Sequence, residues 1–267
     1  MKNGFSLFVG SLFVLGLSWC LMVLTPVLQL GRAKQTTIIN TTDIYPVQRT
    51  GAATLGLQVY RANGCAACHT EQIQQTGMAC DLAVTGYGKK PEAVSNVVAD
   101  VKLTGIPKDE ADALSDKITA AGGKAEVRVY ATGPDLPRWG MRRSVAEDFL
   151  WDYPVQLGNS RVGPDLADVG ARLPDVNWQL VHLYAPQSAV KGSVMPPFRY
   201  LFEKRRIDGV PSPEALQLPK EFAPPAGYEI VPTDDAKNLA AYLVSLRADV
   251  PLHDAPFTPL TAPKKKP

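Results

Sequence analysis

The segment Cys65-Ala66-Ala67-Cys68-His69 constrains this chain more than any other. Two thiols at this spacing can each add across a haem vinyl group, and the imidazole that follows then falls beneath the iron as an axial ligand. A chain carrying it has to fold around a flat, largely apolar macrocycle and supply whatever meets the other side of the iron. Two cysteines spaced this way also suit a dithiol redox pair or half a zinc site. The first is expected beside a βαβ pattern, however, and the second needs two more ligands. Cys20 lies inside an apolar run and Cys80 stands alone, so no second pair completes a tetrahedral site. The motif predicts one covalently held haem c and a role in moving electrons.

Composition bounds the setting. The 267 residues are enough for one or two domains, and 45% hydrophobic content is ordinary for a globular chain. A net charge of +2 lacks the basic excess of a nucleic-acid-binding protein, so no nucleic acid is expected as a partner. From Phe5 to Leu30 no residue is charged, and at 1.5 Å per residue that run crosses a hydrocarbon core of about 30 Å with some tilt. A cleaved signal would have a shorter apolar region and a small-residue cleavage site, so the reading is a retained anchor spanning residues 1–34. Pro26 marks its expected end. Lys2 on one side and Arg32 and Lys34 on the other leave the charge rule undecided, whereas haem is joined to thiols on the outer side of a bacterial-type membrane. The expectation is a single-pass protein of the bacterial inner membrane with its haem domain on the periplasmic side.

Residues 35–50 are polar, contain Pro46 and read as a linker. A haem domain over 51–76 and 138–248 follows. Leu55, Val59 and Ala62 recur at helical spacing up to Gly64, and Thr233-Asp234-Asp235 caps a second helix with Leu239, Tyr242, Leu243 and Leu246 as its stripe. The two helices are expected to pack together. For the sixth iron ligand Met195 leads, because Val194-Met195-Pro196-Pro197 puts a thioether on a stiff loop far from His69. His182, on a helix predicted over 175–184 beside Trp178 and Tyr184, is the competitor; a structural, hydrogen-bonded histidine is its plainer reading. Met78 and Met141 are less well placed, and His253 sits in a proline-rich tail.

Arg161-Val162-Gly163-Pro164-Asp165-Leu166-Ala167-Asp168-Val169-Gly170, Trp178, His182-Leu183-Tyr184-Ala185-Pro186 and Ser193-Val194-Met195-Pro196 together resemble the membrane-anchored mono-haem subunit II of cbb3-type cytochrome c oxidases. Arg138-Trp139-Gly140 and Phe149-Leu150-Trp151-Asp152-Tyr153-Pro154 extend the likeness upstream, so that it covers the anchor, residues 52–76 and about 138–200. The resemblance implies a mainly α fold: an N-terminal transmembrane helix and a helical haem domain like class I cytochromes c. It implies haem attachment at Cys65 and Cys68, His69 as proximal and Met195 as distal ligand, and a Pro164 carbonyl that fixes the His69 ring. Gly163 would let the backbone approach the porphyrin. Such a subunit is not catalytic alone. It relays electrons from a donor cytochrome c or quinol-oxidising complex to a haem–copper catalytic subunit held with other membrane subunits. The rival assignment is a stand-alone tethered cytochrome, or the haem subunit of a nitric oxide reductase-like or alternative quinol-oxidising complex.

Residues 77–137 interrupt the family pattern. Pro91–Lys102 and Pro107–Ala121 read as helices and Lys124–Tyr130 as a strand, giving a small α+β insertion whose section 106–129 resembles the C-terminal domain of the bacterial ribosomal stalk protein. Residues 207–232 are proline-rich and expected as an ordered loop, and 249–267 as a disordered tail.

Overall fold

The structure is a computed structural model that describes residues 3–31 and 33–256. Helix α1 (Gly4–Trp19) runs through one π-helical turn, Cys20–Leu24, into α2 (Thr25–Leu30). Pro26 therefore does not end the helix. It lacks the N–H that would bind the carbonyl four residues back, and the wider turn just upstream absorbs the misfit. The Thr25 hydroxyl donates to the Cys20 carbonyl at 2.9 Å. Gly4–Gln29 is long and apolar enough to cross a membrane, and among the described residues nothing buries its most apolar stretch.

The expected linker is folded. Strands β1 (Thr36–Thr37) and β2 (Ile44–Tyr45) pair with Thr36 opposite Tyr45. The Tyr45 ring is buried and its hydroxyl reaches Asp148 at 2.7 Å and the Arg247 carbonyl at 2.8 Å. Arg142, fully buried, completes that anchor with a bidentate pair to Asp148 at 2.8 and 2.9 Å. The tail does likewise as far as it is described. Leu252 and Ala255 are buried beside Tyr45 and Val145, and the Ile39 N–H bonds the Pro251 carbonyl. His253 is exposed, and residues 257–267, including the terminal lysines, lie outside the described residues.

Helix α3 (Gly51–Ala62) is capped by the Thr50 hydroxyl, which accepts from the Ala53 N–H. Its buried face is Ala53, Gly56, Leu57 and Tyr60, with Leu55 exposed and Val59 only partly covered. The stripe is thus displaced from the Leu55–Val59–Ala62 line, because close approach to another helix selects small residues that a hydrophobicity pattern does not single out.

The insertion is a three-stranded antiparallel sheet with helices on one face. Strand β3 (Gly77–Gly86) leads through α4 (Pro91–Ser95) to β4 (Lys102–Ile106), then through α5 (Lys108–Ala120) to β5 (Lys124–Thr132), in spatial order β4-β3-β5. Leu82, Val84, Val94, Val98 and Ile118 form its core. The predicted α5 and β5 are present, while the helix predicted over 91–102 stops at Ser95. Val101 instead offers its carbonyl to the Val84 N–H at 2.9 Å and the chain turns into β4. A Thr76–Thr132 bond of 2.8 Å closes the neck.

The remaining elements gather around α3: α6 (Val169–Arg172), α7 (Val176–Tyr184) capped by Asp175, α8 (Pro186–Ala189), a hairpin of β6 (Phe202–Arg206) with β7 (Tyr228–Pro232), and α9 (Asp234–Ser245) capped by Thr233. Helices α3 and α9 cross closely, with the Tyr60 and Tyr242 rings 5.2 Å apart. A Cβ on Gly56 would lie 1.9 Å from the Asn238 carbonyl oxygen, which is backbone and cannot yield. Gly56→Ala is therefore expected to cost about 2 kcal/mol or more in urea unfolding; an unchanged midpoint would mean that the crossing is looser than described.

Candidate functional site

Helix α3 ends at Asn63, and Gly64 takes a left-handed φ of 65° that turns the chain into a 3-10 turn at Cys65–Ala67. The Cys68 and His69 N–H groups both return to the Cys65 carbonyl, at 3.1 and 3.0 Å, so the five-residue motif is one compact turn. A second strand of chain, residues 158–167, is laced to it. Ser160 bonds the Ala67 carbonyl, the Gly163 N–H bonds Cys68 at 2.9 Å, and the Leu166 N–H bonds Thr70 at 2.7 Å. Fully buried Asp165 ties the lacing, accepting from the Thr70 hydroxyl at 2.5 Å and from the N–H groups of Gln72 and Ala167 at 2.8 and 2.9 Å. Arg161 bridges Thr70, the Gln72 carbonyl and Asp135.

This lacing fixes His69. Its Nδ1 lies 2.8 Å from the Pro164 carbonyl oxygen, so that nitrogen carries the proton and Nε2 keeps its lone pair. Gly163 sits flat against the ring; a Cβ there would be 2.2 Å from His69 Cε1.

His69 opens into a cavity lined by Tyr60 and Cys65 from one side, Pro164, Val169 and Arg172 from the laced strand and α6, Trp178 and His182 from α7, Leu239 and Leu243 from α9, and Met195. The cavity's volume is about 80 Å³, and it opens to solvent. Burial pushes the Cys65 thiol up to about 12. Cys68 sits exposed on the same turn and is not among the lining residues. Met195 arrives on the loop after α8, which turns at Gly192 (φ 79°) and is pinned by the Phe198 N–H to the Leu183 carbonyl at 2.9 Å. The structure thus gathers Cys65, His69, Pro164 and Met195 around one space, with Gly163 against the His69 ring, while Cys68 stays exposed on the same turn and outside the lining.

Among the described residues, the buried side-chain polar atoms with no hydrogen-bond partner are Tyr60 Oη, Arg172 Nε and His182 Nδ1, and all three belong to residues lining this cavity. Buried polar atoms normally find partners. Their grouping suits an apolar ring bearing a few acidic or polar substituents, and haem has that chemistry. Sequence reasoning missed Tyr60 and Arg172. The only signals were a tyrosine one turn before the motif and a basic residue closing the turn after Asp165. His182 is not the hydrogen-bonded structural residue of its plainer reading. Its ring stacks on Trp178, 4.9 Å away and 7° from parallel, and burial, then the nearby His69, push its pKa down to about 4. Tyr184 packs in the core against Phe202.

Behind the cavity, between α3 and α9, Glu71 is buried with both carboxylate oxygens within 3.1 Å of the Tyr242 hydroxyl. Burial pushes it up to about 7 although the Tyr242 and Tyr60 hydroxyls and Arg49 pull the other way. The neutral form is favoured in the fold, so its contribution to stability is complete below the pH where a free glutamate ionises and is lost as pH rises through about 7. Asp168, pushed up to about 6 by burial, adds in the same direction. The melting temperature should fall from about pH 5 to pH 8, and Glu71→Gln should flatten part of that fall; an identical slope in the variant would rule out Glu71 as its source.

Residues 127–241 match the family described as Cytochrome C oxidase, mono-heme subunit/FixO, a span that holds Gly163, Pro164, His182 and Met195 and leaves out the Cys-x-x-Cys-His turn. No curated protein matches the chain. A haem-binding electron-transfer subunit with a candidate membrane span at its N-terminus accords with the apolar helix, the cavity and the laced histidine, and over residues 127–241 the chain is similar to the mono-haem subunits of cytochrome c oxidases.

Proposed function

We propose that the haem is of c type, joined through thioethers to Cys65 and Cys68, with His69 and Met195 as its axial ligands. The observation carrying this reading is the shared cavity. Residues as far apart in sequence as Cys65, His69 and Met195 line it, together with Arg172 and His182, each of which carries a buried polar atom with no hydrogen-bond partner. When bound, haem supplies a reversible one-electron ferric–ferrous couple. The chain's own groups prepare the site for it. The Pro164 carbonyl accepts the His69 Nδ1 proton, orienting the ring and raising the basicity of Nε2. Gly163 leaves that ring room. His182, neutral because it is buried, adds no positive charge to the cavity. A thioether opposite a histidine favours the reduced state and leaves no position for a substrate, which suits a carrier.

The arrangement of helices before the haem turn, after the laced strand and at the C-terminus supports a class I cytochrome c-like unit, formed from residues 51–76 and 138–248 with residues 77–137 inserted. Thiol attachment of haem on the outer side of bacterial-type membranes supports a periplasmic domain anchored in the inner membrane. Its acceptor would then be the haem–copper catalytic subunit, and its donor a cytochrome c or a quinol-oxidising complex.

Replacing both Cys65 and Cys68 by serine is expected to abolish haem staining on denaturing gels. Met195→Ala should keep the stain, lose the weak red absorption band of sulfur-ligated ferric haem, and lower the reduction potential. Survival of the band in Met195→Ala would assign the sixth ligand elsewhere, with His182 the next candidate.

A further inference from the structure

Two side chains of the cavity, not one, can offer a lone pair to an iron held by His69. Oxygen groups aside, the lining residues with such a lone pair, besides His69 and Cys65, are Met195 and His182; Arg172 and Trp178 only donate hydrogen bonds. The two are held differently. Met195 sits on a loop whose other residues lose little by moving: Val194 is 77% exposed, and Pro196 and Pro197 are exposed as well. The bonds that seat this loop lie toward its ends, from the Gln187 amide to the Ser193 carbonyl at 3.3 Å and from the Phe198 N–H to the Leu183 carbonyl at 2.9 Å.

His182 belongs to α7, whose Leu180 and Leu183 are buried in the core. The carbonyl that holds Phe198 is that of the next residue, so the Met195 loop is fastened to α7 beside His182. Stacking on Trp178 sets the plane of the imidazole, and its Nδ1 has no hydrogen-bond partner among the described residues. Buried and neutral, the ring can bind a metal without first releasing a proton. A thioether has a weakness that an imidazole lacks. Hydrogen peroxide transfers one oxygen atom to the sulfur and leaves as water; the sulfur is oxidised by two electrons, and the apolar side chain becomes a polar sulfoxide ill suited to an apolar cavity.

We propose that Met195 and His182 form a redox-controlled ligand pair: when hydrogen peroxide converts Met195 to its sulfoxide, the loop of residues 193–197 moves outward and His182 binds the iron in its place. This rests on the reading of Met195 as distal ligand and adds a second, regulated state to it. A thioether opposite a histidine raises the reduction potential and a second imidazole does not, so the exchange lowers the potential and turns electron transfer down. Reduction of the sulfoxide by a methionine sulfoxide reductase reverses it.

The test uses the haem-loaded full chain in mild detergent, treated with hydrogen peroxide until mass spectrometry finds one added oxygen on the peptide holding Met195, then freed of peroxide. Met22 and Met78 are also exposed but lie outside the cavity. In the unaltered chain the weak red band of sulfur ligation should vanish, the ferric iron should stay low-spin with six nitrogens around it, and the reduction potential should fall. Untreated His182→Phe and His182→Gln should keep the red band, which shows that they fold around the haem. The same treatment should turn both variants high-spin, and free imidazole should return them to low-spin. High-spin iron or an oxygen ligand in the treated unaltered chain, or low-spin iron in the treated variants without imidazole, would overturn the proposal. Absence of the red band from the untreated, unaltered chain would instead overturn Met195 as distal ligand, so the two failures are distinguishable.

Discussion

The site depends first on the lacing of residues 158–167 to residues 66–72, with Asp165 as its knot. A histidine presented by a short turn would rotate freely if nothing held it. Here the Pro164 carbonyl, 2.8 Å from Nδ1, and the missing side chain at Gly163 allow the ring one orientation. Asp165 accepts three hydrogen bonds while fully buried, which makes the lacing rigid enough to pass that constraint on. Removing one partner would leave a buried carboxylate uncompensated, a penalty of several kcal/mol in order of magnitude.

The helices complete the enclosure from behind. Gly56 lets α9 cross α3 at contact distance, which sets Leu239 and Leu243 against the cavity and traps Glu71 beneath Tyr242. The insertion leaves this arrangement intact because it enters and leaves through one closed neck at Thr76 and Thr132. Just beyond that neck, Asp135 rejoins the lacing, accepting from the Gln74 N–H and from Arg161. The large interruption in the sequence is therefore a side branch of the fold.

How much of this was legible in the sequence follows from the range of each interaction. The Cys65–His69 turn, the Thr233 and Asp175 caps and helix α5 rest on neighbouring residues, and the sequence displays them. Met195 was legible as a candidate because a methionine between a turn and two prolines is an unusual local pattern. The buried face of α3 was not, since only the position of α9 makes Ala53 and Gly56 the contact residues. Nor was the order in residues 35–50 and 249–256, where Tyr45, Arg142 and Asp148 meet across a long stretch of chain and no local signal marks a polar linker as one side of a packed joint. The partnerless atoms of Tyr60, Arg172 and His182 are three-dimensional facts by nature.

Iron K-edge X-ray absorption on the oxidised, purified chain tests the central claim most directly, because it counts the atoms around the metal without reference to activity or partners. The account predicts one sulfur and five nitrogens in the nearest shell. Six nitrogens, or five with a sixth position taken by water, would contradict it.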